Sequence, residues 1–159
     1  GSSLLELKSS QTINIDTYRI NELLEKSCEL SKVYGQAKGV NINLENLPED
    51  IEVKLDKDRF ICVLINLVKN ACEAFKNEEN KKIAIRATSE NSLIKISVSN
   101  NASPILEPEK IFSDGFTTKS SGTGAGLYIA KKNMEEMSGY LKLIQSNKIK
   151  TVFEAGIKV

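Results

Sequence analysis

Three polar side chains interrupt an otherwise apolar stretch in the middle of the chain. Asn66, Asn70 and Glu73 recur at helical spacing, so they fall within one narrow wedge of a helix surface. Asn side-chain oxygens suit a hard cation such as Mg²⁺, which keeps several waters and takes the rest of its shell from substrate phosphates. The wedge therefore predicts the lining of a pocket. From this segment alone the alternative stays open that both Asn side chains face solvent or cap nearby backbone.

The helix that carries the wedge is expected over about residues 57–76, where apolar residues recur at helical period without Gly or Pro. Because most of this helix is apolar and an unpaired buried amide costs about 1–3 kcal/mol, the polar stripe needs partners. Arg59 and Asn77 prolong the wedge at its two ends. The broad apolar face comprises Phe60, Val63, Leu64, Leu67, Val68, Ala71, Ala74 and Phe75, and it is extended by Ile61, Ile65 and Cys72.

A second chemical feature is a glycine cluster that leads into another helix. Gly122, Gly124 and Gly126 precede apolar residues at helical spacing, and Lys119 lies just upstream. Closely approaching backbone N–H groups and the positive end of a helix dipole together make an anion site, most often for phosphate. The order of residues fits neither a Walker A loop nor a dinucleotide-binding fingerprint. The alternative is a flexible loop that leads to a helix.

A third feature is Asn100, which follows an alternating strand. A polar side chain at a strand end can read a flat heterocycle through paired hydrogen bonds. The alternative is a simple turn, because Asn and Pro residues follow closely.

Composition excludes several classes of function. The 159 residues suffice for one domain with a proper core, and the net charge of +1 argues against a dedicated nucleic-acid surface. The chain contains no His, so it has no histidine acid–base chemistry, no Ser-His-Asp triad and no histidine metal site. Cys28, Cys62 and Cys72 lack metal-ligand spacing and are expected to be buried free thiols. No apolar run reaches the ~20 residues of a membrane span.

The order of elements predicts an α+β fold, with helices layered on one face of a mostly antiparallel sheet. Asp16 or Thr17 is expected to cap the first helix, and residues 46–50 to join two neighbouring strands as a pair. Residues 100–122 lack a regular period, which is typical of a functional or disordered loop. The expected helices are 19–38, 57–76 and 124–137, and the expected strands are 12–15, 40–44, 51–55, 82–88, 93–99, 140–145 and 152–159, with a turn at 90–91 and a last hairpin turning at 146–148.

Together these segments resemble the catalytic and ATP-binding domain of two-component sensor histidine kinases, within the wider group that includes type II topoisomerases and heat-shock chaperone ATPases. Residues 66–74 resemble the N box of that family, residues 111–119 its F box and ATP lid, and residues 122–127 its G2 box. The resemblance covers roughly residues 12–159 and implies a two-layer α/β sandwich, a mixed, mostly antiparallel sheet covered on one face by three helices.

The resemblance also implies roles for individual residues. Asn70 would coordinate Mg²⁺, Asn66 would face the phosphates, and Lys119 would reach the γ-phosphate. Asn66 and Lys119 are therefore the expected catalytic residues, and ATP and Mg²⁺ the expected ligands. The expected ATP-binding residues are Asn66, Lys69, Asn70, Asn100, Ile105, Thr117, Thr118, Lys119, Gly122, Thr123, Gly124, Ala125, Gly126 and Leu127.

One segment departs from the family pattern. The G1 box of the family reads Asp-x-Gly-x-Gly, and the matching positions here are Asn100, Ala102 and Pro104. Asn100 can still accept a hydrogen bond from an adenine amino group, but it lacks the charge that roughly doubles the strength of such a bond. Adenine recognition is therefore expected to be weaker or altered. At position 66, where hydrolysing members carry a Glu, an amide cannot serve as general base, which favours phosphoryl transfer over ATP hydrolysis.

The leading hypothesis is a kinase domain that donates the γ-phosphoryl group to a His on a dimerisation domain outside this chain. The alternatives are a nucleotide-binding pseudokinase or scaffold, and a serine kinase of the anti-sigma-factor type.

Residues 1–10 are expected to be a tag scar and the tail of a dimerisation helix, and residues 11–159 the catalytic domain. The expected partners are that dimerisation domain, in a homodimer, and a response regulator, with no nucleic acid. The isolated domain is expected to be a monomer in the cytoplasm, and whether the whole protein is membrane-anchored stays open.

Overall fold

The computed structural model describes residues 12–34, 37–113 and 126–159, and these form two layers. One layer is a five-stranded sheet and the other contains three helices, as the sequence predicts. The helices are α1 (Ile20–Tyr34), α2 (Lys57–Ala74) and α3 (Gly126–Glu136); the strands are β1 (Asp16–Arg19), β2 (Asn41–Glu45), β3 (Glu52–Leu55), β4 (Lys82–Glu90), β5 (Leu93–Asn100), β6 (Tyr140–Ser146) and β7 (Thr151–Lys158).

The large sheet has the strand order β2-β4-β5-β7-β6. Only the pair of β2 and β4 is parallel, so the sheet is mixed and mostly antiparallel, which confirms the expected fold class. Alternating side chains of β4 and β5 point into the core, where they pack against the helices. The buried members of this alternation are Ile83, Ile85, Ala87, Ile94, Ile96 and Val98.

The pairing of β2 with β3 that the sequence analysis expected is wrong. β3 pairs antiparallel with β1 in a separate two-stranded sheet, and β2 joins the large sheet beside β4. The loop between β2 and β3 therefore crosses between two sheets. Hydrogen bonds of the Asn21 side chain to the backbone of Leu47, in both directions at 3.0 Å, tie this loop to α1.

The start of α1 also differs from expectation. Residues 16–19 form β1 instead of a cap, and the helix follows directly at Ile20. Its first backbone donors are satisfied from across the fold: Ile20 N–H donates to the Ile51 carbonyl at 2.9 Å, and Asn21 N–H donates to Asp50 Oδ1 at 2.9 Å. The cap therefore comes from tertiary structure, because the local candidate Asp16 is already in a strand.

The helix α2 lies at the centre of the core, with every residue from Arg59 to Val68 buried. It begins at the N-cap Asp56, whose carboxylate accepts a hydrogen bond from Arg59 N–H at 3.1 Å. It ends where Phe75 adopts an extended conformation. The prediction that most of this helix is buried is confirmed, and the polar side chains of Arg59 and Asn66 are buried with it.

The turn between β4 and β5 lies one residue later than expected. Asn91 and Ser92 form it, with φ of 51° and 62°, the left-handed conformation that a two-residue hairpin of this hand requires. The last hairpin turns at residues 147–150, where Asn147 Oδ1 accepts from Ile149 N–H and Lys150 N–H. Between β5 and α3, the described part of the loop contains a single 3₁₀ turn, Pro108–Lys110.

The three cysteines are free thiols in the structure, as expected, although Cys72 is only half-buried. Burial raises the pKa of the Cys72 thiol, and the nearby Glu73 carboxylate raises it further. Within the described ranges, no three His, Cys, Asp or Glu side chains group as a metal site, and no helix is long and apolar enough to cross a membrane. The expectation for residues 1–10 lies outside the described residues.

The outer face of the β6–β7 pair carries a hydrogen-bonded tyrosine. Tyr140 lies opposite Gly156, where a Cβ atom would overlap its ring, so the missing side chain lets the ring lie over β7. The phenol donates to Glu154 Oε2 at 2.5 Å, and the Lys142 ammonium lies 5.0 Å from the ring centre. Burial, reinforced by the hydrogen bond and the charge of Glu154, raises the pKa of Tyr140 to about 12.

This pKa predicts how stability depends on alkaline pH. A tyrosine whose pKa is higher in the folded than in the unfolded state contributes its full stabilisation of the folded state below about pH 10. This contribution is lost as pH rises through about 12. Tyr140→Phe should lower the free energy of unfolding at pH 8 by about 1 kcal/mol, the typical contribution of one hydrogen bond. Urea unfolding at pH 8, 10 and 11.5 should show the wild type and the variant converging as pH rises. A constant difference would show that the phenol proton plays no part.

Candidate functional site

Asn66 lies where two distant segments of the chain meet. Its side chain is only 4% exposed, and Nδ2 has no hydrogen-bond partner among the described residues. The first residue of α3, Gly126, faces it: a Cβ at Gly126 would lie 3.4 Å from Asn66 Oδ1. The structure thus brings the polar wedge of α2 to the N-terminal end of α3, where backbone N–H groups favour an anion. For Asn66, the alternative of a solvent-facing side chain is wrong.

The wedge continues along α2 and becomes less buried toward the end of the helix. Asn70 and Glu73 follow Asn66 by one and two turns, and both are half-buried, as is Lys69. Asn70 and Glu73 each make a further interaction within the protein. Asn77 lies past the end of the helix and is exposed. The wedge therefore runs from the closed interior at Asn66 to an accessible end near Asn70.

Asn100 ends the apolar face of β5. The strand alternates so that its buried residues share one side, and Asn100, at 6% exposure, is the polar last member of that series. Its Oδ1 accepts a hydrogen bond from Ala102 N–H at 3.0 Å. An amide oxygen has two lone pairs, so it retains one acceptor site for a ligand. The turn interpretation and the ligand interpretation are therefore compatible at this residue.

The segment after Asn100 is held by hydrogen bonds at both ends. Asn101 accepts from Lys82 N–H at 2.8 Å and donates to the Asn80 carbonyl at 2.5 Å. Ile105 N–H donates to Ser146 Oγ at 2.8 Å, and its side chain packs against the core. These bonds fix the path of the segment that carries Ala102 and Pro104, the two positions where the sequence departs from glycine.

The start of the expected lid is anchored on the sheet. Ile111 is buried, and the Phe112 ring meets Phe153 edge to face with centroids 6.1 Å apart. The Lys131 ammonium of α3 lies 5.3 Å from the centre of the Phe112 ring. Leu127, in the first turn of α3, is half-buried against the core. The remaining expected ligand-binding residues, Thr117, Thr118, Lys119, Gly122, Thr123, Gly124 and Ala125, lie outside the described residues.

A charged cluster around the buried Arg59 lies at the other end of the contact between α2 and α3, and the sequence alone does not reveal it. Arg59, 2% exposed, donates from Nη1 to Asn133 Oδ1 at 3.0 Å and forms an ion pair with Glu136. Its Nε lies 3.5 Å from Asp56 Oδ2. The sequence did place Arg59 in the polar wedge, but nothing in it identified the partners on α3, because contacts between helices depend on tertiary structure.

The chain matches a family model described as "Histidine kinase-, DNA gyrase B-, and HSP90-like ATPase" over residues 55–159. Among curated proteins, it is 29% identical over 147 residues to the sensor histidine kinase ZraS of Escherichia coli (strain K12), covering 89% of this chain and 30% of that protein. It is 27% identical over 143 residues to sporulation kinase C of Bacillus subtilis (strain 168), covering 89% of this chain and 33% of that protein. The chain thus spans about a third of the length of these relatives.

Solved structures give the same result. The catalytic domain of histidine kinase ThkA is 33% identical, with a TM-score of 0.76, and the match covers 91% of this chain and 97% of that one. Histidine kinase ThkA in complex with response regulator protein TrrA is 31% identical with a TM-score of 0.75, and that match covers 96% of this chain and 44% of ThkA. The three helices and the mixed five-stranded sheet therefore match a histidine kinase catalytic domain.

The unpartnered amide of Asn66 predicts that its replacement by an apolar side chain of similar size leaves the fold intact. Asn66→Leu should keep or raise the free energy of unfolding, by up to about 1 kcal/mol, because it removes a buried donor that has no partner. Asn133 is the matched control, since its Nδ2 is equally buried and unpartnered but its Oδ1 accepts from Arg59. Asn133→Leu should destabilise by about 1–3 kcal/mol in urea unfolding. Equal losses in the two variants would contradict this distinction.

Proposed function

This chain belongs to the family of histidine kinase-, DNA gyrase B-, and HSP90-like ATPases, and from that premise we propose that it binds Mg-ATP and donates the γ-phosphoryl group to a His of a dimerisation domain. The observation that carries the proposal is Asn66, a buried amide with an unpartnered Nδ2 beside the N-terminal end of α3. A buried donor without a partner costs free energy, and a ligand that accepts its hydrogen bond offsets that cost.

The residues present fit this ligand. Asn70, one turn beyond Asn66 and half-buried, would hold Mg²⁺ through its amide oxygen, with Lys69 beside the phosphates. The start of α3 at Gly126 and Leu127, with the glycine-rich segment before it, would bind the phosphate chain.

Asn100 would accept a hydrogen bond from the adenine amino group, and Ile105 would contact the adenine ring. Lys119, Thr117 and Thr118 would contact the phosphates from the lid.

The proposed chemistry depends on position and charge. When bound, Mg²⁺ neutralises charge on the phosphate oxygens. The chain itself would hold the phosphates at the end of α3 and would keep water from the buried side of the pocket, at Asn66. Neither Asn66 nor Asn70 can remove a proton from water, which supports transfer to a side chain over hydrolysis. This chain contains no His, so the acceptor would come from outside it.

The proposed partners follow from the same relatives. ThkA, which shares 31% identity with this chain, was solved in complex with a response regulator protein. We propose that a response regulator receives the phosphoryl group from the dimerisation domain, and that the whole protein is a homodimer through that domain. Labelling of the longer protein with γ-³²P-ATP would test transfer, and a label that is stable in alkali and lost in acid would support a phosphohistidine.

A second candidate function is nucleotide binding without transfer, as a pseudokinase or scaffold. The observation that favours it is Asn100, whose Oδ1 already accepts from Ala102 N–H and carries no charge to strengthen a bond to adenine. Tight Mg-ATP binding without any labelling of the longer protein would support this alternative.

Calorimetric titration of the domain with ATP, with and without Mg²⁺, tests whether the domain binds the nucleotide. The variant Asn70→Ala tests whether Asn70 holds the ion. The variant should bind Mg-ATP at least about 100-fold more weakly, equivalent to roughly 2.7 kcal/mol. The melting temperature of the free domain should change little, because Asn70 is only half-buried. Asn77→Ala, at an exposed position past the end of the same helix, is the matched control and should bind as the wild type does. A large loss of stability on Asn70→Ala would instead make Asn70 structural.

Asn100→Asp tests adenine recognition. A carboxylate should strengthen the bond to the adenine amino group, so the variant should bind Mg-ATP about 3- to 10-fold more tightly. Mg-GTP has no amino group at that position of the base and should gain nothing. Because Asn100 is 6% exposed, a buried charge there should also lower the melting temperature of the free domain. An equal change in affinity for both nucleotides would show that Asn100 does not read the base.

A further inference from the structure

The charged cluster of Arg59, Asp56, Asn133 and Glu136 lies at the opposite end of the α2–α3 contact from Asn66. Arg59 belongs to the first turn of α2, whereas Asn133 and Glu136 belong to the last turns of α3. We infer that Arg59 is a positioning residue for the nucleotide site, because its contacts set the position of α3 along α2 and thereby hold Gly126 against Asn66. This inference rests on the proposed function, since it concerns the same site.

The spacing of the two contacts carries the argument. Arg59 and Asn66 are seven residues apart on α2, and Gly126 and Asn133 are seven residues apart on α3. Seven residues are two helical turns, or about 10.5 Å. The helices are antiparallel, so Arg59 meets Asn133 at one end and Asn66 meets Gly126 at the other. Two contacts separated by two turns fix both the axial position and the rotation of α3, which one contact alone does not.

The chemistry of the cluster suits a positioning role. The guanidinium presents donors in a fixed planar fork, so it engages Asn133, Glu136 and Asp56 from defined directions. The carboxylates of Asp56 and Glu136 pair with it, and their side chains are 10% and 34% exposed. A buried ion pair adds little net stability over apolar packing, because desolvation offsets the attraction. What it does supply is geometry.

The same cluster is tied to the rest of the domain. Asp56 Oδ2 also accepts from Asn14 N–H at 2.9 Å, and Asp56 N–H lies 3.4 Å from the Met137 sulfur, just past the end of α3. The N-cap of α2 thus contacts both the segment before β1 and the end of α3. Arg59 is therefore held on a rigid base, as a positioning residue needs to be.

Arg59→Lys and Glu136→Gln test the inference in the whole 159-residue chain. Lysine keeps the positive charge but cannot engage Asn133 and both carboxylates at once, and glutamine keeps the shape of Glu136 without its charge. Each variant should weaken Mg-ATP binding about 5- to 10-fold in calorimetry. Amide hydrogen exchange of the free protein should speed up about 10-fold at Ala130, in the first turns of α3, and remain unchanged at Ile96 in β5.

Val53→Ala is the matched control for stability. Val53 is buried in β3, on the two-stranded sheet, and it lies outside the α2–α3 contact. The melting temperature of the Val53→Ala variant should fall, and its affinity for Mg-ATP, measured well below the unfolding transition, should not change. If Val53→Ala weakens binding as much as Arg59→Lys does for an equal loss of melting temperature, Arg59 acts through stability alone and the inference is overturned.

The two measurements separate this inference from the proposed function. If the wild type binds no Mg-ATP, the proposed function fails, and the exchange data then decide whether Arg59 positions α3. Faster exchange confined to α3 in Arg59→Lys supports positioning. Uniformly faster exchange, or none, overturns it, even when the wild type binds Mg-ATP.

Discussion

The burial of α2 is the constraint on which the rest of the structure depends. Its residues from Arg59 to Val68 are all buried, so any polar side chain within that run must be paired or must leave an unsatisfied group in the core. The two polar residues of this run, Arg59 and Asn66, differ in whether their side chains are paired. Arg59 is paired with Asn133, Asp56 and Glu136, whereas Nδ2 of Asn66 has no partner in the described part of the chain. An unsatisfied buried amide is a local cost that packing must offset, and a ligand that accepts its hydrogen bond would offset that cost.

The sheet also carries a buried polar side chain, Asn100. Alternation along β5 buries Ile94, Ile96 and Val98, and the next position on that face is an amide. Its burial is acceptable because the Asx turn to Ala102 satisfies one lone pair, and the turn also starts the path toward Ile105. Two of the buried polar side chains, Asn66 on the helix and Asn100 on the strand, lie in different layers. Asn66 faces the start of α3, and Asn100 ends the face of β5 that packs against the helices. The ordinary period of its own element places each of these two side chains.

Periodicity predicted much of this, and its physical limits explain what it did not predict. It identifies which residues of a segment share a face, so α2, the β4–β5 hairpin and the final hairpin lie close to their expected bounds. It says nothing about which strand pairs with which, so β3 was assigned to β2 although it pairs with β1. The cap of α1 comes from Asp50, 29 residues from Asn21, and no local pattern reveals it. The partners of Arg59 lie 74 and 77 residues away. The resemblance in local motifs implies the roles of the site residues. The structure shows which contacts hold the described parts of those motifs in position.

The way α3 is held bears on how such a site can work. α3 is only 11 residues long and starts at Gly126, so little of its own hydrogen bonding fixes its first turn. Its position therefore depends on what it packs against, which is α2 together with the strands β6 and β7. Apolar packing between helices tolerates small shifts, since sliding by a fraction of a turn exchanges one apolar contact for another. A directional bond does not tolerate them, because a guanidinium fork loses its partners when they move by an ångström. Under the proposed function, the directional contact lies at the far end of α3, and the near end at Gly126 would present backbone N–H groups to the phosphates.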